Sequence, residues 1–170
     1  LNKTKFWYYL GSEWHIILNI MINIALYQPD IPQNTAAIIR LSACLKLKVH
    51  IIEPCGFDLG DTRFKRVVMD YMGYSKIFRY EDYDDFKKKN KKNRIILMTT
   101  KATKHYHKFK FKKDDMLLFG RESAGVPEDL HKSIKYKVKV PMNKKTRSLN
   151  VAMSVAIIAA EALRQNNLLK

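Results

Sequence analysis

Three observations predict an α/β fold with a mainly parallel sheet flanked by helices. Short apolar runs closed by Pro, Gly or polar residues alternate with stretches of helical periodicity. The chain is 170 residues long, the size of one domain with its own core. No internal repeat interrupts the alternation, and the nearest approach to low complexity is Lys87–Lys92.

Taken in order, Ile22–Tyr27 is an apolar run stopped by Gln28-Pro29 and reads as a buried strand. Asn34–Lys46 follows with an apolar face of Ala37, Ile38, Leu41 and Leu45, a helix. Val49–Glu53 is a second strand, closed by Pro54 and Gly56. Asp61–Tyr71 reads as a helix capped by Asp61. Ile77–Arg79 is a short strand, and Asp82–Lys92 a helix running from acidic to basic, as its dipole favours. Arg94–Thr99 and Asp115–Gly120 are two more buried strands. Pro127–Lys132 opens with proline, as a short helix can. Tyr136–Val140 is the last strand, and Ser148–Gln165 a long alanine-rich helix with Ser148 expected at its N-cap.

The ends differ from this body. Trp14–Tyr27 is mostly apolar but spans 14 residues, short of the roughly 20 that cross a bilayer. No small-residue cleavage site follows it. Residues 1–20 are therefore expected to be an extension ahead of a domain covering 21–170, the alternative being a short helix packed on its outside. The protein is expected to be cytoplasmic, without a membrane partner. Two cysteines, Cys44 and Cys55, exclude a disulfide framework and fit a reducing compartment.

Charge carries the strongest functional signal. The chain holds 32 basic and 16 acidic residues, and their placement is uneven. Residues 1–86 carry ten of each, whereas residues 87–147 carry twenty basic and five acidic. Codon bias would not concentrate lysine in one third of the chain. A polyanion is the expected partner.

Parallel sheets bind ligands beyond the carboxyl ends of their strands. Those positions read PQNTAAIIR (Pro32–Arg40), GRESAGVP (Gly120–Pro127) and VPMNKKTRSLN (Val140–Asn150). None is a GxGxxG or a GxxxxGK[ST] motif. Gly120 and Gly125 bracket Glu122, and glycines there let a ligand approach the backbone closely; an ordinary strand-to-helix turn would look the same. Ser148 and Arg40 likewise have plain readings, as a helix cap and a solvent-facing charge. His105 and His107 lack an evident third ligand, and no metal is expected.

In this order and spacing, the three segments with ALYQPDIPQNT, IIRLSA, IIEPCGF and LMTTK resemble the SpoU-type branch of the SPOUT RNA methyltransferases. The similarity is strongest to the bacterial tRNA (cytidine/uridine-34)-2'-O-methyltransferase family, and it runs from Met21 through the last helix. The resemblance implies a C-terminal trefoil knot, S-adenosylmethionine bound in that knot, and a homodimer acting on tRNA. By motif match it places cofactor contacts at Met98, Gly120, Val140, Met142, Ser148 and Leu149. It places the catalytic set at Asn34, Arg40, Glu122, Ser148 and Asn150.

A guanidinium stays protonated in proteins, so Arg40 is expected to clamp a phosphate and stabilise the developing alkoxide rather than act as base. Lys101, Lys144, Lys145 and Arg147, with Arg40, are the expected RNA contacts, and Lys104, Lys108, Lys110, Lys112 and Lys113 are expected to flank the same site. Two positions depart from the family pattern: Ala36-Ala37 stand where it has a glycine and an asparagine, and Met153 where it has an asparagine. The alternatives to wobble methylation are 2'-O-methylation elsewhere in tRNA or rRNA, and a non-catalytic RNA-binding homologue.

Overall fold

A computed structural model describes residues 22–168. The expected extension at 1–20 lies outside these residues. Six strands, β1 (Asn23–Tyr27), β2 (Lys48–Ile52), β3 (Lys76–Tyr80), β4 (Ile95–Met98), β5 (Met116–Phe119) and β6 (Tyr136–Val138), form one sheet in the order β3-β2-β1-β5-β4-β6. Every pairing is parallel. The helices are α1 (Pro32–Cys44), α2 (Thr62–Met72), α3 (Tyr83–Lys89), α4 (Glu128–Ser133) and α5 (Val151–Gln165), with a single 3-10 turn at Tyr106–Lys108.

Both faces of β1, β2, β4 and β5 are covered, which explains why these strands read as apolar runs, whereas the edge strand β3 is largely exposed. Ile24, Leu26, Val49, Ile51, Leu117 and Phe119 pack under Ile38 and Ile39 of α1 and Val155, Ile158 and Ala162 of α5. Ala25, Tyr27, Ile52, Met116 and Leu118 face the other way, onto Phe86 of α3 and Leu130 of α4. The chain winds outward from β1 to β3, then returns to place β5 beside β1 and ends at the opposite edge. This reversal between β1 and β5 opens a crevice at the carboxyl ends of the central strands.

All the expected elements form, with shifted ends. Asp61 caps α2 as anticipated, accepting from the Arg63 and Phe64 amides. Asn150, not Ser148, caps α5: its side chain accepts from the amides of Ala152 and Met153. Helix α3 stops at Lys89 rather than Lys92, because no apolar residue after Phe86 holds a further turn on the core. Strand β6 ends at Val138 because Lys139 pairs elsewhere, donating to the Lys104 carbonyl at 2.9 Å and accepting from the Tyr106 amide at 2.9 Å.

A bidentate ion pair pins the start of the right half of the sheet. Arg94 Nε and an Nη donate to the Asp115 carboxylate at 2.8 and 2.6 Å, with Asp115 fully buried. The same guanidinium lies 5.2 Å from the centres of the Phe109 and Tyr136 rings.

Candidate active site

The loop after β5 is shaped by its two glycines. The Arg121 and Gly125 backbones exchange two hydrogen bonds of 2.9 Å, closing a tight turn. A Cβ on Gly120 would lie 2.5 Å from the Gly125 carbonyl carbon, and Gly125 itself has φ +70°. Only glycine fits at 120, and the left-handed backbone at 125 favours glycine. The turn throws Glu122 towards the loop after β1.

There Glu122 meets the start of the first helix, and through it the cap of the last. Its Oε2 accepts from the Asp30 amide at 3.1 Å, and its Oε1 from Asn34 Nδ2 at 3.0 Å. Asn34 Oδ1 in turn accepts from Asn150 Nδ2 at 2.8 Å. Three motifs, separated by 88 and 116 residues, thus become one hydrogen-bonded chain. Asn34 is buried in the first turn of α1, behind Pro32, which suits a helix start because the first amides lack intrahelical partners.

Asp30 locks the arrangement from the other side. It accepts from the Glu122 amide at 3.1 Å and from the Ser123 hydroxyl, while Arg121 Nε lies 3.7 Å away. The hydrogen bond with Glu122 holds the Asp30 carboxyl down at about 2, and burial pushes the Glu122 carboxyl up. The two carboxyls are thereby set apart: Asp30 is an anion, and Glu122 the more readily protonated partner. Asp30, Arg121 and Ser123 were not singled out from sequence; the legible signal was the Pro29-Asp30-Ile31-Pro32 turn directly after an apolar strand.

This chain forms part of the wall of a cavity of about 550 Å³ at the carboxyl ends of β4, β5 and β6. Asn34, Met98, Lys101, Gly120, Glu122, Val140, Met142, Arg147, Ser148, Leu149 and Asn150 all line it. His131, unremarked in the sequence, lines it too, and its Nε2 is buried without a hydrogen-bond partner. Arg40, Lys144 and Lys145 lie outside the wall. Six residues after Asn34, Arg40 has turned to the exposed face of α1, with its guanidinium 5.2 Å from the Tyr71 ring centre. Lys144 and Lys145 are exposed in the turn before α5.

The lysine field also divides. Lys101 stands at the cavity, where its Nζ donates to Glu128 at 3.2 Å. Lys110, Lys112 and Lys113 immediately precede β5 and so sit at the opposite end of the sheet, not beside the cavity. Among the described residues no group of three His, Cys, Asp or Glu side chains could hold a metal ion, and no helix is long and apolar enough to cross a membrane.

Comparison with known proteins places this geometry. The model of the SpoU rRNA Methylase family matches residues 21–160. A tRNA (cytidine(34)-2'-O)-methyltransferase of Beijerinckia indica is 46% identical over 144 residues, covering 84% of this chain and 90% of its own. The enzyme of that name from Escherichia coli is 37% identical, covering 85% of this chain and 94% of its own. A solved structure concerned with 2-OH methylation of C/U34 on tRNA superposes with a TM-score of 0.83 at 33% identity, covering 88% of this chain and 98% of that one.

Proposed function

Because the chain belongs to the SpoU rRNA methylase family, we propose that it methylates the ribose 2'-hydroxyl of the wobble nucleotide, C34 or U34, of tRNA, with S-adenosylmethionine as methyl donor. The observation that carries this reading is the Asn150–Asn34–Glu122 chain on the cavity wall. The relatives named for this reaction at 46% and 37% identity support it.

The cavity suits such a donor. The backbone cradle at Gly120 would be filled by any side chain there, and His131 offers an unpartnered ring nitrogen. Met98, Gly120, Val140, Met142, Ser148 and Leu149 are the residues that would hold it, in the trefoil knot that the family fold implies. When bound, S-adenosylmethionine supplies an electrophilic methyl group on a sulfonium.

The protein's part is positioning and charge. Each amide nitrogen of Asn34 and Asn150 spends one hydrogen on the internal chain and keeps the other for a ribose or phosphate oxygen. Glu122 holds Asn34 in the orientation that exposes this donor. Arg40, outside the wall, would clamp the neighbouring phosphate and stabilise the alkoxide as the hydroxyl proton leaves to phosphate or water. Lys101 and Arg147 at the cavity, with Lys144 and Lys145 nearby, would hold the RNA backbone. The reading extends to a cytoplasmic homodimer with 21–170 as its methyltransferase domain; Leu149, 40% exposed, and Met153, 60% exposed, are apolar surface a second copy would cover.

Transfer of label from methyl-labelled S-adenosylmethionine to tRNA lacking the modification, followed by alkaline hydrolysis, tests the proposal. Label is expected in an alkali-resistant dinucleotide whose first residue is the wobble nucleotide. Label in another dinucleotide would move the target, and no transfer with both tRNA and cofactor bound would overturn catalysis.

A further inference from the structure

The amino end of the sheet, opposite the active site, is basic, and an aromatic platform lies beside it on β2 and β3. Lys48 and Lys76 open β2 and β3, Lys91 and Lys92 lie just before β4, and Lys112 and Lys113 just before β5. Asn93 Nδ2 donates to the Asp114 carbonyl at 2.9 Å, tying together the two turns that carry the last four lysines. Of the acids nearby, Asp115 is neutralised by Arg94 and Asp85 pairs with Lys89 at 2.8 Å, while Asp114 is exposed beside the six lysines.

On the α3 face of this end lies a second cavity, of about 470 Å³, lined by Lys48, His50, Phe78, Tyr80 and Lys89 among others. The His50 ring stacks at 18° on both Phe78 and Tyr80, with centroids 5.0 and 5.7 Å away. Tyr80 Oη and Asn23 Oδ1 engage its two nitrogens at 2.7 and 3.3 Å, so the stack is fixed in place. Phe78 is nevertheless 41% exposed. A lysine cluster that served solubility alone would need no aromatic surface, and a core aromatic would not be left open to solvent. An open ring on a rigid base amid cations is what single-stranded or loop RNA binds: bases stack on the ring while phosphates lie on the lysines.

We propose that this end is a second RNA-binding surface, where an unpaired base of the substrate stacks on Phe78 and flanking phosphates lie on Lys48, Lys91, Lys92, Lys112 and Lys113. The inference rests on the reading of tRNA as substrate. The lysines lie at the amino ends of the strands, roughly 16 Å from the carboxyl ends that line the first cavity, and Phe78 lies midway along β3, two strands out from β1. On this proposal the RNA bound here lies outside the loop that holds the modified nucleotide.

The test is filter binding of unmodified full-length tRNA and of its isolated anticodon stem–loop across a salt series. Phe78→Ala is expected to weaken binding of full-length tRNA about tenfold, and Phe78→Trp to restore it. Lys91→Glu with Lys112→Glu should reduce the slope of log affinity against log salt by about two. Stem–loop and S-adenosylmethionine binding should not change in any variant. Unchanged tRNA affinity and slope would overturn the proposal, as would an equal loss for the stem–loop and cofactor, which would mark Phe78 as structural. The assay needs no turnover, so a wild-type protein that binds tRNA without methylating it would refute the activity and leave this surface to be judged by its own variants. A wild-type protein that does not bind tRNA would overturn both.

Discussion

Asn150 Nδ2 donates a 2.8 Å hydrogen bond to Asn34 Oδ1, joining the cap of the last helix to the first turn of the first. The Oδ1 of the same Asn150 accepts from the Ala152 and Met153 amides at 2.8 and 3.3 Å. One side chain therefore serves the fold through its oxygen and the site through its nitrogen. Asn150→Asp keeps the cap and removes the donor, and a compensating flip of Asn34 would turn its oxygen onto Glu122. Methyl transfer should fall about tenfold or more, the worth of one hydrogen bond, with a melting temperature close to wild type. Asn150→Ala should lose the cap as well, about 1 kcal/mol. Paired label-transfer and thermal-melting measurements separate the two losses.

The Asp30–Glu122 pair makes stability depend on pH in a defined sense. Asp30 is held at about 2 in the fold, against 3.8 for the free group, so its contribution is complete above about pH 4 and disappears as pH falls towards 2. Glu122 is shifted upwards, so its own ionic contribution has the opposite sign, favouring the fold below its ordinary range and fading as pH rises through its folded value. Asp30→Asn should thus be less stable than wild type at pH 7, by about 1–2 kcal/mol. That deficit should shrink as the acid range is entered. Urea unfolding at pH 7 and pH 3 measures it; a deficit that grows at pH 3 contradicts the assignment.

At Gly120 the backbone of Gly125 occupies the space a methyl group would take. Gly120→Ala should open the turn and weaken S-adenosylmethionine binding at least tenfold by titration calorimetry, because fixed backbone cannot yield as a flexible side chain would. Gly125→Ala meets no atom, but it places alanine at φ +70°. It should cost about 1–2 kcal/mol of stability with a smaller effect on affinity.

Arg40 is exposed and lies over Tyr71, outside the cavity. Arg40→Ala should leave S-adenosylmethionine affinity unchanged and lower kcat at saturating tRNA by about tenfold or more, the loss of one charge-assisted contact to the transition state. Unreduced turnover would remove Arg40 from the reaction.

Breaking the Arg94–Asp115 pair strands a carboxylate that is 1% exposed. Arg94→Leu should destabilise the protein by about 3–5 kcal/mol in urea, since a buried charge without its partner is far costlier than the pair. The activity per folded molecule should survive.

Much was legible before any coordinates. The inner strands announced themselves as apolar runs because both their faces are buried, and Gly120 and Gly125 bracket a turn that has no room for a Cβ at 120 and favours glycine at 125. The basic surplus of residues 87–147 was plain from counting. Its geography was not: Lys101 and Lys113 are twelve residues apart in one lysine-rich stretch, yet they occupy opposite ends of the sheet. A chain crossing from the end of β4 to the start of β5 must traverse the whole strand length, and linear spacing does not record that return.

The meeting of Asn34, Glu122 and Asn150 belongs to the tertiary structure for the same reason. Local periodicity could set each on a helix start or a glycine turn, because those preferences are decided within a few residues. The β1–β5 reversal brings the three together across 88 and 116 residues of sequence. Sequence determined which residues were competent for the site; packing both faces of one parallel sheet determined which of them could touch.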